Sequence, residues 1–239
     1  MALLDVRGLT RHFGGVSAVS DLSFTVSEGE ILGLIGPNGA GKTTVFNLVS
    51  GALRPHAGAI LLDGTSVAGM RPHAVARRGI ARTFQIVKPF PGLSVRENVT
   101  LAAFLRHASR RDAESAAALV LERVGLSRRA SELASRLTLM DQKRLEVARA
   151  LATQPRLLLL DEPMGGLNPT EVDAASLLVE RIRASGVTVV LVEHVMKAIM
   201  RISDRVVVIS QGEKIAEGPP ADVVAEPAVL AAYFGGRVA

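Results

Sequence analysis

The stretch GPNGAGKTT at residues 36–44 constrains the fold more than any other part of the chain. A strand-like apolar run precedes it at residues 31–35, and helix-compatible sequence follows it. The spacing G-x-x-x-x-G-K-[ST] lets backbone N–H groups curl around an anion, because glycine leaves room where a side chain would collide. The helix that follows directs its positive end at the same place. The pattern therefore predicts a strand, loop and helix that bind the phosphate groups of a nucleotide.

Two side chains of this loop have predicted roles. Lys42 is expected to place a mobile positive charge on the outer phosphates. The Thr43 hydroxyl is expected to complete a Mg²⁺ shell that otherwise consists of phosphate oxygens, waters and a carboxylate. The residues expected to line the nucleotide are Gly36, Pro37, Asn38, Gly39, Ala40, Gly41, Lys42, Thr43 and Thr44.

The amino-acid composition limits the classes of protein to which this chain can belong. With 239 residues, of which 48% are hydrophobic, the chain fits one large α/β domain or a domain with an inserted subdomain. The net charge is +5, but only 3% of residues are aromatic, which is little material for base stacking, so no direct nucleic-acid contact is expected. Cysteine is absent, which excludes disulfides and thiolate metal sites, and the five histidines have no zinc-ligand spacing.

No apolar run is long enough to span a bilayer, and charges close to the first residue argue against a signal peptide. We therefore expect a protein that is soluble or held at a membrane by others. The mean hydropathy of +0.30 is high for such a chain and favours a sheet buried on both faces or a surface covered by a partner.

The hydrophobic pattern changes along the chain. Strands are predicted at residues 3–9, 22–26, 57–62, 80–85, 157–160, 187–192, 205–209 and 213–216. Short helices are predicted at residues 72–78 and after Asn168, which has a helix-capping pattern with Pro169 and Glu171. From residue 95 to about 156 the pattern is helical, after a kinked joint at residues 88–92.

Several candidate functional residues lie at predicted strand ends. Asp161 and Glu162 follow an all-apolar run, and open α/β sheets bind ligands at the carboxyl ends of their strands. Their side chains point in different directions, so Asp161 can hold magnesium while Glu162 faces the γ-phosphate as a general base. His194 could hydrogen-bond the γ-phosphate or be structural. Phe13, beside the Gly14 turn, could stack on adenine or belong to the core.

These motifs, in this order along the chain, resemble those of the ATP-binding subunit of an ABC transporter. The resemblance covers essentially the whole chain. The resemblance implies an α/β fold, the P-loop NTPase ABC-type ATPase domain, with an N-terminal antiparallel β subdomain and an inserted α-helical subdomain. It implies a single domain over 1–239, in which 1–84 and 157–239 form the catalytic core and about 86–156 form the helical insert that carries the signature sequence.

The resemblance also implies ATP and Mg²⁺ as cofactors. By that resemblance residues 36–44 are the Walker A loop, residues 166–168 the D-loop and His194 the switch histidine. The implied catalytic residues are Glu162, His194, Lys42 and Gln85; the implied magnesium ligands are Thr43, Gln85 and Asp161; and Phe13 is the adenine-stacking aromatic.

The segments LTRHFGG, ARTFQ, RLEVARAL, DEPMGGLNP and AAYFGG most resemble the ATPases of branched-chain, or hydrophobic, amino-acid importers. Urea or amide importers and the lipopolysaccharide exporter have similar ATPases. The resemblance implies ATP hydrolysis coupled to transport at the cytoplasmic face of a bacterial inner membrane. The implied partners are a second ATPase subunit, two transmembrane permeases and, indirectly, a periplasmic solute-binding protein. A soluble ABC ATPase acting on nucleic acid or ribosomes, or an ATP-binding regulator, is the alternative of another class.

The signature sequence departs from the family. Relatives have LSGGQ or LSYGQ where this chain has LTLMD at residues 137–141. Thr138 keeps a hydroxyl that could reach the γ-phosphate of a nucleotide on the partner, but Met140 replaces a glycine and Asp141 repels an anion. Lys143 and Arg144 could offset that repulsion. We therefore hypothesise a heterodimer with a different ATPase subunit and two unequal sites.

Overall fold

A computed structural model describes residues 2–234, which form two sheets and a group of helices. The strands are β1 (Ala2–Phe13), β2 (Val16–Ser27), β3 (Ile31–Ile35), β4 (Ala57–Leu62), β5 (Thr65–Ser66), β6 (Ile80–Arg82), β7 (Leu157–Asp161), β8 (Thr188–Val192), β9 (Arg205–Ser210) and β10 (Glu213–Gly218). The helices are α1 (Lys42–Val49), α2 (Pro72–Arg78), α3 (Val95–Ala103), α4 (Arg110–Arg123), α5 (Leu139–Ala152), α6 (Pro169–Ala184), α7 (Met196–Ile202), α8 (Pro220–Val223) and α9 (Pro227–Phe234).

The larger sheet carries the candidate site. Its strand order is β10-β9-β3-β8-β7-β6, parallel except for the edge strand β10. Every residue of β3, β7 and β8 is buried, as expected for all-apolar strands covered on both faces. Because these three strands run in the same direction, the loops that follow them meet at one edge of the sheet.

Two apolar layers cover this sheet. On one side the sheet shares a core with α3, α4 and α5, whose buried side chains are mostly alanine, valine and leucine. On the other side it packs with α1 and with the antiparallel sheet β2-β1-β4-β5. The predicted fold class is therefore confirmed, and the two-sided burial accounts for the high mean hydropathy. None of the helices in residues 2–234 combines the length and hydropathy that a bilayer span requires.

Some predicted boundaries are wrong. The strand predicted at 80–85 ends at Arg82, because after Thr83 donates its N–H to Leu159 O the chain leaves the sheet edge. β1 and β2 are longer than predicted, since their pairing continues through irregular register into polar residues up to the turn at Gly14. Of the segment AAYFGG, the two glycines lie outside the described residues.

Candidate nucleotide-binding site

The loop between β3 and α1 is confined by backbone on two sides. A Cβ at Gly36, where φ is +152°, would lie 2.0 Å from Ile209 O. A Cβ at Gly41, where φ is +107°, would lie 2.3 Å from Ala18 O. Only glycine fits at either position, so both motif glycines are required by the packing as well as by their backbone conformation.

Lys42 folds back over this loop. Its Nζ donates to Gly36 O at 2.6 Å and to Pro37 O at 3.0 Å, and the side chain is buried. Burial lowers the pKa of Lys42, while the negative charges of Glu162 and Asp161 act in the opposite direction. The ammonium is therefore anchored at the loop and faces two acids that the sequence places far away.

A cavity of about 280 Å³ opens above the loop. It is lined by residues of the loop and of four other segments: Ala18, Asn38, Gly39, Ala40, Gly41, Lys42, Thr43, Thr44, Gln85, Glu162 and His194. The structure thus brings together the predicted phosphate loop, the predicted base, the predicted glutamine and the predicted histidine. Backbone N–H groups at the start of α1, together with a lysine, suit an anionic ligand in this cavity.

The Glu162 carboxylate lies at the centre of the polar side chains. Its Oε2 accepts a hydrogen bond from Gln85 Nε2 at 2.8 Å, and its Oε1 lies 2.9 Å from His194 Nε2. The Glu162 backbone is left-handed, with φ of +48°, which is uncommon outside glycine. Glutamine and histidine therefore hold the carboxylate from two sides, on the rim of the cavity.

Asp161 lies deeper than Glu162 and is 2% exposed. Its Oδ2 accepts from an Arg82 guanidinium nitrogen at 2.8 Å, and its N–H donates to Thr83 Oγ1 at 3.1 Å. The other carboxylate oxygen, Oδ1, is buried without a hydrogen-bond partner. A buried, unpaired carboxylate oxygen is unusual and suits a hard cation such as Mg²⁺.

Arg82 is a site residue that sequence reasoning missed. Its guanidinium lies 5.6 Å from the Phe46 ring centre and 5.3 Å from that of Phe84, and it donates to Asn47 Oδ1 at 2.5 Å. It thereby joins α1, β6 and the buried acid Asp161. The available signal was an arginine inside the strand predicted at residues 80–85, because a charged side chain in a strand that becomes buried needs a partner.

Phe13 lies at the end of β1 and is 45% exposed, outside both core clusters. The Arg11 guanidinium lies 4.9 Å above its ring. Phe13 does not line the cavity, although Ala18 of the neighbouring strand does. Its stacking on adenine stays a prediction.

The polar side chains of the altered signature bond to each other and to nearby arginines. Thr138 caps α5, and its hydroxyl donates to Asp141 Oδ2 at 3.1 Å. Asp141 is buried and pairs with Arg144 at 3.3 Å and Arg129 at 3.4 Å. The expectation that Lys143 offsets the Asp141 charge is wrong, because Lys143 Nζ turns away and donates to Glu162 O at 2.8 Å.

Comparison with known proteins gives one consistent result. A family described as "ABC transporter" matches residues 19–165, and one described as "Branched-chain amino acid ATP-binding cassette transporter" matches residues 213–239. The chain is 43% identical to the high-affinity branched-chain amino acid transport ATP-binding protein BraF of Pseudomonas aeruginosa, with 98% of both chains covered. It is also 43% identical to LivG of Escherichia coli, a protein of the same description, with the same coverage. The ADP conformation of MJ1267, an ATP-binding cassette of an ABC transporter, superposes with a TM-score of 0.90 at 27% identity, covering 98% of this chain and 99% of that one.

Proposed function

The chain belongs to the ABC transporter family of ATP-binding proteins, and from that premise we propose that it hydrolyses ATP to drive import of branched-chain or other hydrophobic amino acids. The family resemblance drawn from the motifs is confirmed. Membership of the family supports ATP hydrolysis, and the descriptions of BraF and LivG support the transported class.

The convergence of Gln85 and His194 on the Glu162 carboxylate, above the Lys42 loop, is the observation that carries this proposal. In the proposed reaction the loop N–H groups and Lys42 bind the phosphates, and Glu162 accepts a proton from the attacking water. His194 orients the γ-phosphate and Glu162 together. Thr43, Gln85 and the free Oδ1 of Asp161 are the residues that would hold Mg²⁺. Bound with the nucleotide, Mg²⁺ neutralises phosphate charge.

The signature supports a heterodimer as the working form. The Thr138 hydroxyl already donates to Asp141, and two arginines hold the Asp141 carboxylate at the start of α5. A phosphate approaching this turn would meet a hydroxyl and two guanidinium groups that are already engaged by Asp141, in place of free donors. We infer that a second ATPase subunit supplies a standard signature to the site of this chain, and that the site covered by this chain's own signature is weaker.

An exposed apolar surface supports docking to membrane subunits. Five large apolar side chains within residues 84–104 are each more than 40% exposed: Phe84, Ile86, Phe90, Leu101 and Phe104. Exposed large apolar residues concentrated in one stretch of sequence are candidates for an interaction surface. We propose that this surface meets two transmembrane permeases, which would hold the chain at the cytoplasmic face of the inner membrane, with a periplasmic solute-binding protein on the far side.

The test compares ATP turnover in the purified chain and in its complex with the second ATPase and the permeases. We expect faster turnover in the complex, and in E162Q we expect ATP binding to persist while turnover stops. E28Q, which alters a carboxylate that is 65% exposed and pairs with Arg156 on the surface, serves as the control. Unchanged turnover in E162Q would show that another group is the base. A complex that binds ATP without hydrolysing it would favour the regulator, and turnover by the chain alone that equals the complex would remove the basis for a partner signature.

A further inference from the structure

The unusual backbone of Glu162 is held from several directions. A left-handed conformation is strained for a non-glycine residue and persists only where the surroundings enforce it. The Glu162 N–H donates to Val192 O at 2.9 Å, which ties the residue to β8. Its carbonyl oxygen accepts from Gly165 N–H at 3.2 Å and from Lys143 Nζ at 2.8 Å. The last of these contacts is the only one of the three that comes from a side chain.

Lys143 reaches Glu162 from the helical part of the fold. It lies near the start of α5, two positions after the last residue of the altered signature, and its side chain is half-buried. Burial lowers the pKa of Lys143, and the negative charges of Glu193 and Glu162 oppose that effect. The ammonium is thus close to both acids while it donates to a peptide oxygen.

Glu193 completes the arrangement from the other side. It is 2% exposed and accepts three backbone N–H groups. Its Oε1 binds Met164 N–H at 2.5 Å, and its Oε2 binds His194 N–H at 3.0 Å and Val195 N–H at 3.3 Å. One buried carboxylate therefore joins the turn after Glu162 to the segment that carries His194.

We propose that Lys143 and Glu193 are positioning residues that fix the Glu162 carboxylate and the His194 imidazole relative to each other, with Lys143 linking α5 to this pair. The inference rests on the proposed function, in which Glu162 is the base. Lys143 orients the peptide of Glu162, and Glu193 orients the peptide of His194 and the turn at Met164. Neither residue lines the nucleotide cavity, so their loss should alter turnover and leave nucleotide affinity in place.

The experiment measures kcat, the ATP dissociation constant and the melting temperature for K143M, K143R and E193Q in the assembled transporter. We expect K143M to lower kcat at least tenfold with the dissociation constant within about twofold of the wild type. K143R keeps a donor in the same place and should recover most of the activity. E193Q cannot accept N–H groups on both of its terminal atoms, so it should lower kcat in the same way and speed amide hydrogen exchange at Met164 and His194.

R106M is the matched control. Arg106 also ties the helical region to the rest of the chain by donating to carbonyl oxygens, those of Ala76, Arg77 and Thr153, but far from Glu162. Its kcat should stay near that of the wild type even if its melting temperature falls.

The proposal would be overturned if K143M had the kcat of the wild type, or if R106M lost as much kcat as K143M. So would a fall in nucleotide affinity as large as the fall in kcat. If K143M does not fold, K143R and E193Q decide the matter by the same criteria. A wild-type complex that fails to hydrolyse ATP would instead overturn the proposed function, while the exchange at Met164 and His194 in E193Q would still test the positioning by Glu193.

Discussion

Replacing Arg82 with methionine tests how the buried acid of the proposed magnesium site is stabilised. The side chains of Arg82 and Asp161 are 7% and 2% exposed, and they form an ion pair of 2.8 Å. Methionine fills much of the arginine volume but leaves the Asp161 carboxylate buried without a cation. Removing one partner of a buried pair typically costs about 3–5 kcal/mol. For a domain of this size that corresponds to a fall in melting temperature of roughly 6–20 °C.

The assay is thermal unfolding of four proteins: wild type, R82M, R82M/D161L and R183M. The double variant removes the unpaired carboxylate, so it should recover most of the stability that R82M loses. Arg183 pairs with Asp204 at 2.9 Å on the surface, where both side chains are at least 40% exposed. R183M should therefore cost only about 0–1 kcal/mol.

Ligand addition extends the same test. In the proposed site, Mg²⁺ bound with ATP brings positive charge to the free oxygen of Asp161. Saturating Mg²⁺ and ATP should therefore raise the melting temperature of R82M by more than they raise that of the wild type. ATP with a chelator should lack this extra effect. The reasoning is refuted if R82M melts within 2 °C of the wild type, or if R82M/D161L melts as low as R82M.

Two further predictions follow from single side chains. If the Phe13 ring stacks on adenine, F13A should weaken ATP binding by roughly 1–3 kcal/mol in an equilibrium binding assay. V16A, across the turn, should leave ATP affinity unchanged. Equal ATP affinities of F13A and the wild type would show that Phe13 is not part of the site. Burial raises the pKa of Glu193 in the folded protein, so its contribution to stability is present at low pH and is lost as pH rises through the folded pKa. Wild type should therefore lose stability relative to E193Q as pH rises above the ordinary glutamate pKa of 4.5, as measured by paired thermal unfolding. A gain in the relative stability of the wild type over the same range would contradict this sign.

Elements whose sequence signals are local were predicted well. The strand at residues 57–62 and the helix at residues 72–78 have the predicted bounds, because turn residues and a proline mark their ends. The capping pair of Asn168 and Glu171 forms as expected. The predicted end of β6 was wrong, since residues 80–85 (IARTFQ) contain no glycine or proline to mark a turn, and pairing with β7 ends at Arg82.

The residues of the candidate site were predicted from local sequence signals, but the contacts that hold them in place were not. Loops after parallel strands meet at one edge of a sheet, and this rule placed residues 36–44, Glu162 and His194 together without any contact being known. The hydrogen bonds that hold these residues in place join positions that are far apart in the sequence. Arg82 meets Asp161 across 79 positions, and Glu193 meets Met164 across 29. No local pattern marks such pairs, and a buried charge in the sequence indicates only that some partner must exist.

The start of α5 shows how a complete phosphate-binding loop and an altered signature can occur in one chain. Asp141 turns inward to Thr138 and two arginines, whereas Lys143, two positions later, donates to the carbonyl of Glu162. These charged groups are therefore committed within their own chain, one set to capping the helix and the other to the proposed base. In the proposed heterodimer, a nucleotide on the partner would have to displace Asp141 from Thr138 before it could use this helix end. The contact between Lys143 and Glu162 does not involve Asp141, so loss of function at the proposed partner site need not reduce function at the site of this chain.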